Sequence, residues 1–360
     1  MKTPLDYARA ACETMMRRYA GPDLPPKGHF HYHQGVFLSG MMETRKLCGD
    51  ERYFRYMKSW VDSVFDEEGH IRHYVHGNVD DIMPGILLFY LIDGTGDPYY
   101  EKCLASVYQE VLDIPKNPEG GNWHAVDLKD QMWLDGLYMA GPFCAEYGKR
   151  RHLPELQADV AKQALMMQER TRDEKTGLLY HAWDRTRTMP WADPVTGRAP
   201  EFWGRSMGWV PVALLNDLDF LAPDVPGREG MIDMAVNLLK ALCRYQSEDG
   251  RWYQVVNKGG QEGNWLENSC SCLYVAGLCK AMRKGYLPKE YAENARRGYE
   301  GVIRSIGWEG DDIQIGNVCI GTGVGDYAFY CARPTSVNDL HGVGAFLIMC
   351  TEMERWQRED

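Results

Sequence analysis

GVFLSGMMETRKLCG, residues 35–49, runs straight into DERYFRYMKSWVDSVF, residues 50–65. The first segment is apolar on nearly every side of a helix. The second is two-faced, and a tight turn carrying Gly and Asp joins them. The same pair returns along the chain: DIMPGILLFYLIDGTG (81–96) with DPYYEKCLASVYQEV (97–111), DQMWLDGLYMAGPF (130–143) with LPELQADVAKQALMM (153–167), and RSMGWVPVALLNDL (205–218) with GREGMIDMAVNLLKAL (227–242). A fifth pair is NSCSCLYVAGLCKAM (268–282) with LPKEYAENARRGYEGVI (287–303), and HGVGAFLIMCTEMERW (341–356) is a sixth apolar helix with nothing after it. An unpaired amphipathic helix opens the chain at Thr3 and Pro4, with Leu5, Ala8, Cys12, Met15 and Tyr19 on one side. A helix apolar all round is buried on all sides, and a two-faced helix covers it. Six of each, closed by the chain termini, make an all-α (α/α)6 barrel, a six-hairpin toroid forming a single domain over residues 1–360. The alternative is an open helical-repeat array, but hairpins of roughly sixty residues exceed the usual repeat unit.

This topology sorts the connections. Tight turns lie on one rim, and long loops, residues 21–33, 66–80, 113–130, 170–204, 247–267 and 305–339, lie on the other. Long loops in a compact domain usually carry function. Trp123, Trp133, Trp183, Trp191, Trp203, Trp209, Trp252, Trp265 and Trp308 all fall in these loops or at the starts of inner helices. They suggest a mouth where sugar rings stack, with part of the set merely padding loops.

The formal net charge of −11 argues against nucleic acid as the main partner. No run is apolar enough to span a bilayer, and the N-terminus does not read as a signal peptide. Eleven cysteines, an odd number scattered mostly through apolar helices, suit a reducing cytoplasm better than a disulfide framework. The expected protein is a cytoplasmic monomer or weak homo-oligomer.

At the mouth, Asp135 stands out. DQMWLDGLYMAGPFCAE (130–146) reads as one apolar helix, and a carboxylate within it loses hydration, so its pKa is expected to rise and make it a proton donor. Asp80 and Asp81 end another loop, where one of them is expected to cap a helix. His124 sits in GGNWHAV, His181 in GLLYHAWD, and Arg205 in FWGRSMGW, where its fork can meet a carboxylate. The alternating His29, His31 and His33 lack a further ligand at fixed offset, and Cys270 and Cys272 lack a partner pair, so no metal is expected. GTGVG at 321–325 lacks the phosphate-loop lysine and reads as a tight loop.

NVDDIMPG, GGNWHAV, DQMWLDGLYMAGPFCAEYG, KTGLLYHAWD, MPWADPVTGRAPEFWGRSMGW and NDLHGVGAFL resemble the unsaturated rhamnogalacturonyl hydrolases, glycoside hydrolase family 105, over nearly the whole chain. The resemblance implies a cytoplasmic barrel enzyme without a cofactor. Its substrates would be short pectin fragments, disaccharides included, that end in a 4,5-unsaturated uronic acid. It places the catalytic aspartate on Asp135 and a second active-site aspartate on Asp80. Substrate contacts fall on His124, His181, Arg205, Trp203 and Trp209, and Trp133 joins them as a binding residue. The implied chemistry is hydration of a vinyl ether, with Asp135 giving a proton to C4 and taking one from the water that adds at C5. Two rival readings are an inverting glycosidase using Asp80 and Asp135 on saturated sugars, and a sugar-binding toroid without catalysis.

Overall fold

The computed structural model describes residues 2–74 and 76–359. Its inner helices are α2 (Tyr32–Cys48), α4 (Ile86–Thr95), α6 (Asp135–Arg151), α8 (Gly204–Asp217), α10 (Asn268–Arg283) and α13 (Leu340–Glu359). The outer helices are α1 (Pro4–Arg18), α3 (Glu51–Val64), α5 (Tyr99–Asp113), α7 (Pro154–Thr171), α9 (Arg228–Cys243) and α11 (Ala292–Ser305). A short helix, α12 (Tyr327–Cys331), lies in the last rim loop. Inner helices meet in sequence, α6 on α8, α8 on α10, α10 on α13, and α13 returns to α2. The N-terminal α1 packs on α13, so the two ends of the chain close the ring as the unpaired helices required.

Burial follows the two sequence patterns. In α10, 15 of 16 residues are buried, whereas α11 buries only Ala295, Gly298, Gly301 and Val302. That spacing is one stripe of a helix, which leaves the rest of α11 to solvent. Gly298 is small for a reason: a Cβ there would lie 2.5 Å from Val275 of α10. Thr3 caps α1 in a box with Asp6, and Pro4 takes the first helical position.

The second inner helix departs from expectation. Neither Asp80 nor Asp81 caps it. Asn78 accepts the Asp80 N–H instead, and two 3-10 turns, Val79–Asp81 and Met83–Gly85, lead into α4. Both aspartates are thereby released from capping. No described helix is long and apolar enough to cross a membrane.

Candidate active site

Residues 130–146 do not form one helix. Gln131–Trp133 is a strand, β1, paired antiparallel with β2 (Ala182–Asp184), with Trp133 opposite Ala182. The ribbon continues in one more bond, the Leu134 N–H donating to the His181 carbonyl at 3.0 Å. α6 then begins at Asp135. Two rim loops are thus stitched together so that Asp135 and His181, distant in sequence, face each other. Asp135 also stands in the first turn of a helix, where the helix dipole favours the charged carboxylate.

The side chains around Asp135 form a directed chain. His181 Nε2 lies 3.1 Å from Asp135 Oδ2, and His181 Nδ1 lies 2.6 Å from Tyr330 Oη, which accepts the Gly325 N–H at 3.3 Å. His181 is fully buried, and burial pushes its pKa down, so the ring is neutral. With Tyr330 donating to Nδ1, the single ring proton sits on Nε2 and points at Asp135. Burial alone would raise the Asp135 carboxyl, as the sequence led us to expect. The His181 hydrogen bond, with the charges around it including Arg205, outweighs burial and holds Asp135 below the usual carboxylate range. The free site therefore keeps Asp135 ionised, which corrects the sequence-based expectation.

Asp80 is its opposite. Burial raises its carboxyl against the pull of His124 and His31. Its Oδ1 lies 3.5 Å from His124 Nε2, and the His124 ring stacks at 4.3 Å on Trp133, which also meets His181 edge-on. Asp81 turns aside to His31 Nδ1 at 2.5 Å. Of the two adjacent aspartates, Asp80 is the one next to His124 and within the field of Asp135.

Arg205 is 2% exposed and has no carboxylate within ion-pair distance among the described residues. Two of its N–H groups donate to the carbonyls of Cys319 (2.5 Å) and Ile320 (2.9 Å), and its guanidinium lies over the Trp203 ring. Carbonyl partners satisfy the donors, and the carboxylates of Glu267 and Asp135 favour the charge through space without an ion-pair contact. Trp203 in turn packs on His181 and stacks on Tyr330, with its N–H on Gln254. Trp209, about one turn on from Arg205 along α8, has one face covered by Tyr138 of α6 and is 1% exposed. It braces the ring interior rather than lining the mouth, because α8 buries almost its whole circumference.

Several residues at the mouth escaped the sequence reading. Tyr330 fixes the His181 tautomer, yet DYAFYCARP has no helical or strand period that would single it out. His33, Asp339 and His341 bring metal-ligating atoms within 4.8 Å of one another, although the sequence reading grouped His33 with His29 and His31. Three of the rim tryptophans are fasteners: the indole N–H groups of Trp183, Trp252 and Trp265 bond backbone carbonyls of Thr196, Leu242 and Cys331.

Comparison with known proteins adds lineage to this geometry. A family model described as Glycosyl Hydrolase Family 88 matches residues 7–357. The chain belongs to that family. A solved glycoside hydrolase from family 105 of C. acetobutylicum ATCC 824 superposes on this enzyme with a TM-score of 0.92 at 31% identity, covering 97% of this chain and 99% of that one. The family 105 membership suggested by its motifs therefore stands, and so does the barrel. The unsaturated rhamnogalacturonyl hydrolase YesR of Bacillus subtilis (strain 168) is 26% identical over 296 residues, 81% of this chain and 79% of that protein. The unsaturated glucuronyl hydrolase of Bacillus sp. GL1 shares the fold, with a TM-score of 0.71 at 14% identity over 98% of this chain and 96% of that one. This family 88/105 protein is a glycoside hydrolase of the unsaturated-uronide type.

Proposed function

We propose that this enzyme releases the 4,5-unsaturated uronic acid from the non-reducing end of short rhamnogalacturonan fragments by hydrating the ring double bond. The observation that carries the reading is the buried guanidinium of Arg205, in ion-pair contact with no carboxylate among the described residues, beside two carboxylates with opposed proton affinities. An anionic sugar offers that guanidinium a direct ion-pair partner, which a neutral sugar cannot. The rhamnogalacturonan part of the proposal follows YesR and the motif resemblance. All eleven cysteines are free thiols, which suits action in a reducing cytoplasm.

The uronate brings negative charge and expels water, and both raise the proton affinity of Asp135. Asp80, whose burial favours the protonated form, supplies the proton. Asp135 delivers it to C4, and positive charge spreads over C5 and the ring oxygen. The Asp135 carboxylate then takes a proton from the water that adds at C5. The resulting C5 hemiketal opens to a ketone, leaving C1 as a hemiacetal that expels the leaving sugar. One water is consumed and Asp135 ends protonated, as it began the chemical step. His181 steers Asp135, Arg205 and His124 hold the uronate end, and Trp133 with Trp203 walls the ring. We read the whole chain as one catalytic domain.

The test is loss of ultraviolet absorbance on a panel of lyase-generated disaccharides with identified products. Consumption of the unsaturated rhamnose-linked disaccharide, with the saturated counterpart untouched, is expected. Turnover of the saturated sugar instead would favour an inverting two-carboxylate mechanism and sink the hydration reading.

A further inference from the structure

The rim loop of residues 247–267 has no part in the chemistry above, yet its centre is buried among groups that do. It forms a ribbon, β3 (Trp252–Tyr253) paired antiparallel with β4 (Leu266–Glu267). Gln254 follows β3 and is fully buried. Its backbone is fixed on both sides: the N–H donates to the Trp265 carbonyl at 2.8 Å, and the carbonyl accepts the Gly204 N–H at 2.8 Å. Its amide reaches three other points. Oε1 accepts the Trp203 indole N–H at 3.2 Å, while Nε2 donates to the Tyr330 carbonyl at 3.2 Å and to Cys319 Sγ at 3.1 Å. An indole N–H can only donate and a carbonyl can only accept, so a side chain joining them must offer one acceptor and one donor. A glutamine amide offers both.

The bond to Tyr330 matters because α12 has five residues, far fewer than a helix needs to hold itself in water. Three bonds tie it to the ribbon loop. The Tyr327 hydroxyl donates to the Glu262 carbonyl at 2.8 Å, the Trp265 indole N–H donates to the Cys331 carbonyl at 3.3 Å, and Gln254 supplies the third. The first is exposed and the second half-buried, so water can replace either; the Gln254 bond is buried. Without it the Tyr330 carbonyl falls back on its own segment, where the Arg333 N–H lies at 3.2 Å. Trp203, whose ring stacks on Tyr330, would lose the acceptor of its N–H at the same time. We propose that Gln254 is a positioning residue: its amide holds Trp203 and α12 in register, so that the Tyr330 hydroxyl meets His181 Nδ1 and keeps the ring proton on Nε2, facing Asp135. Its weight in catalysis rests on the reading above, in which Asp135 carries the proton. The placement of the His181 proton does not rest on it and is measured without substrate.

Gln254→Met keeps a side chain of similar length and deletes both amide bonds. Nitrogen NMR of the isotope-labelled free enzyme separates the two tautomers of His181. The wild type should carry Nε2–H, and Gln254→Met should show a mixture, with the Asp135 pKa moved up by at most about one unit. In a Tyr330→Phe background the same substitution should move neither quantity further, because its effect runs through that hydroxyl. Gln254→Glu is a second variant. Protonated, its carboxyl can donate to Tyr330 and accept from Trp203 as the amide does, so the Nε2–H form should persist at low pH and decline as the new carboxyl ionises. A Gln254→Met enzyme that melts lower but keeps the wild-type tautomer and Asp135 pKa overturns the proposal. So do shifts that add in the double variant, a Gln254→Glu tautomer indifferent to that titration, or an Nδ1–H ring in the wild type.

Discussion

The two ends of this ring treat their buried and half-buried charges in different ways. At the tight-turn end the inner helices surround a basin of about 760 Å³ in which acids and bases neutralise one another. Glu43 bonds Arg355 and Lys46, Glu352 bonds Arg283 and Arg355, and Asp219 bonds Lys280 and Lys284. At the loop end the partners are mismatched by design of the backbone. Arg205 rests on carbonyls, Asp135 on a neutral imidazole, and Asp80 stands 3.5 Å from His124. Full pairing makes a structural plug. Incomplete pairing leaves charge for a substrate to complete, at a cost in stability that such sites commonly carry.

The hardest blow to the loop end is Asp135→Asn. It keeps the shape and the contact with His181 but removes the proton carrier, and turnover of an unsaturated disaccharide should fall about 10²–10⁴-fold. Near-normal absorbance loss would remove Asp135 from its proposed role. Arg205→Lys comes next. Lysine keeps the charge but loses the fork that bonds Cys319 and Ile320. Losing one charge-assisted bond to the uronate, worth about 1.5–3 kcal/mol, should raise KM roughly 10–150-fold. A normal KM would mean that the sugar carboxylate is recognised elsewhere.

Tyr330→Phe is gentler. It removes the hydroxyl that keeps the His181 proton on Nε2. With that lock gone, His181 donates to Asp135 less often, so the Asp135 pKa should move up. One neutral hydrogen bond is worth about 0.5–1.5 kcal/mol, so the Asp135 pKa, followed by NMR titration of its carboxyl carbon in the free enzyme, should shift upward by at most about one unit. A downward shift would show that His181 does not hold Asp135 ionised.

How much of this was legible beforehand differs between the two ends and between backbone and side chain. The ring could be read because apolar and two-faced helices alternate, and that alternation is a property of single segments such as 268–282 and 287–303. The rim bearing the site followed from loop lengths alone. Asp135, Asp80, His124, His181 and Arg205 were within reach through local motifs, and the structure brings all five to one mouth. What could not be read were contacts made between segments. Tyr330 meets His181 across 149 positions, and Arg205 finds backbone carbonyls, which carry no side-chain signature. The sign of the Asp135 shift failed for the same reason: burial is written in its neighbours on the helix, but the opposing donor comes from another loop. DQMW looked helical because its apolar residues continue those of α6, whereas pairing with Ala182–Asp184 decides its conformation.

The smallest effect on activity belongs to the neutralised end. Burial works to raise Glu43, but Arg355 and Lys46 outweigh it and lower its pKa to about 2, from an ordinary value of 4.5. A depressed carboxylate stabilises the fold above its unfolded pKa, and that contribution drains away as pH falls from about 4.5 towards 2. Glu43→Gln deletes this titration. Thermal melts of the variant should start lower near neutral pH, because Arg355 loses a partner, yet depend less on pH across that acid window than the wild type. Turnover per folded molecule should be unchanged, since Glu43 and the Asp135 network sit at opposite ends of the ring. A Glu43→Gln enzyme that keeps the wild-type acid dependence would show that the plug is not held by this carboxylate. One that stays folded but loses kcat would show that the two ends communicate, and the division between structural and reactive charge would have to be redrawn.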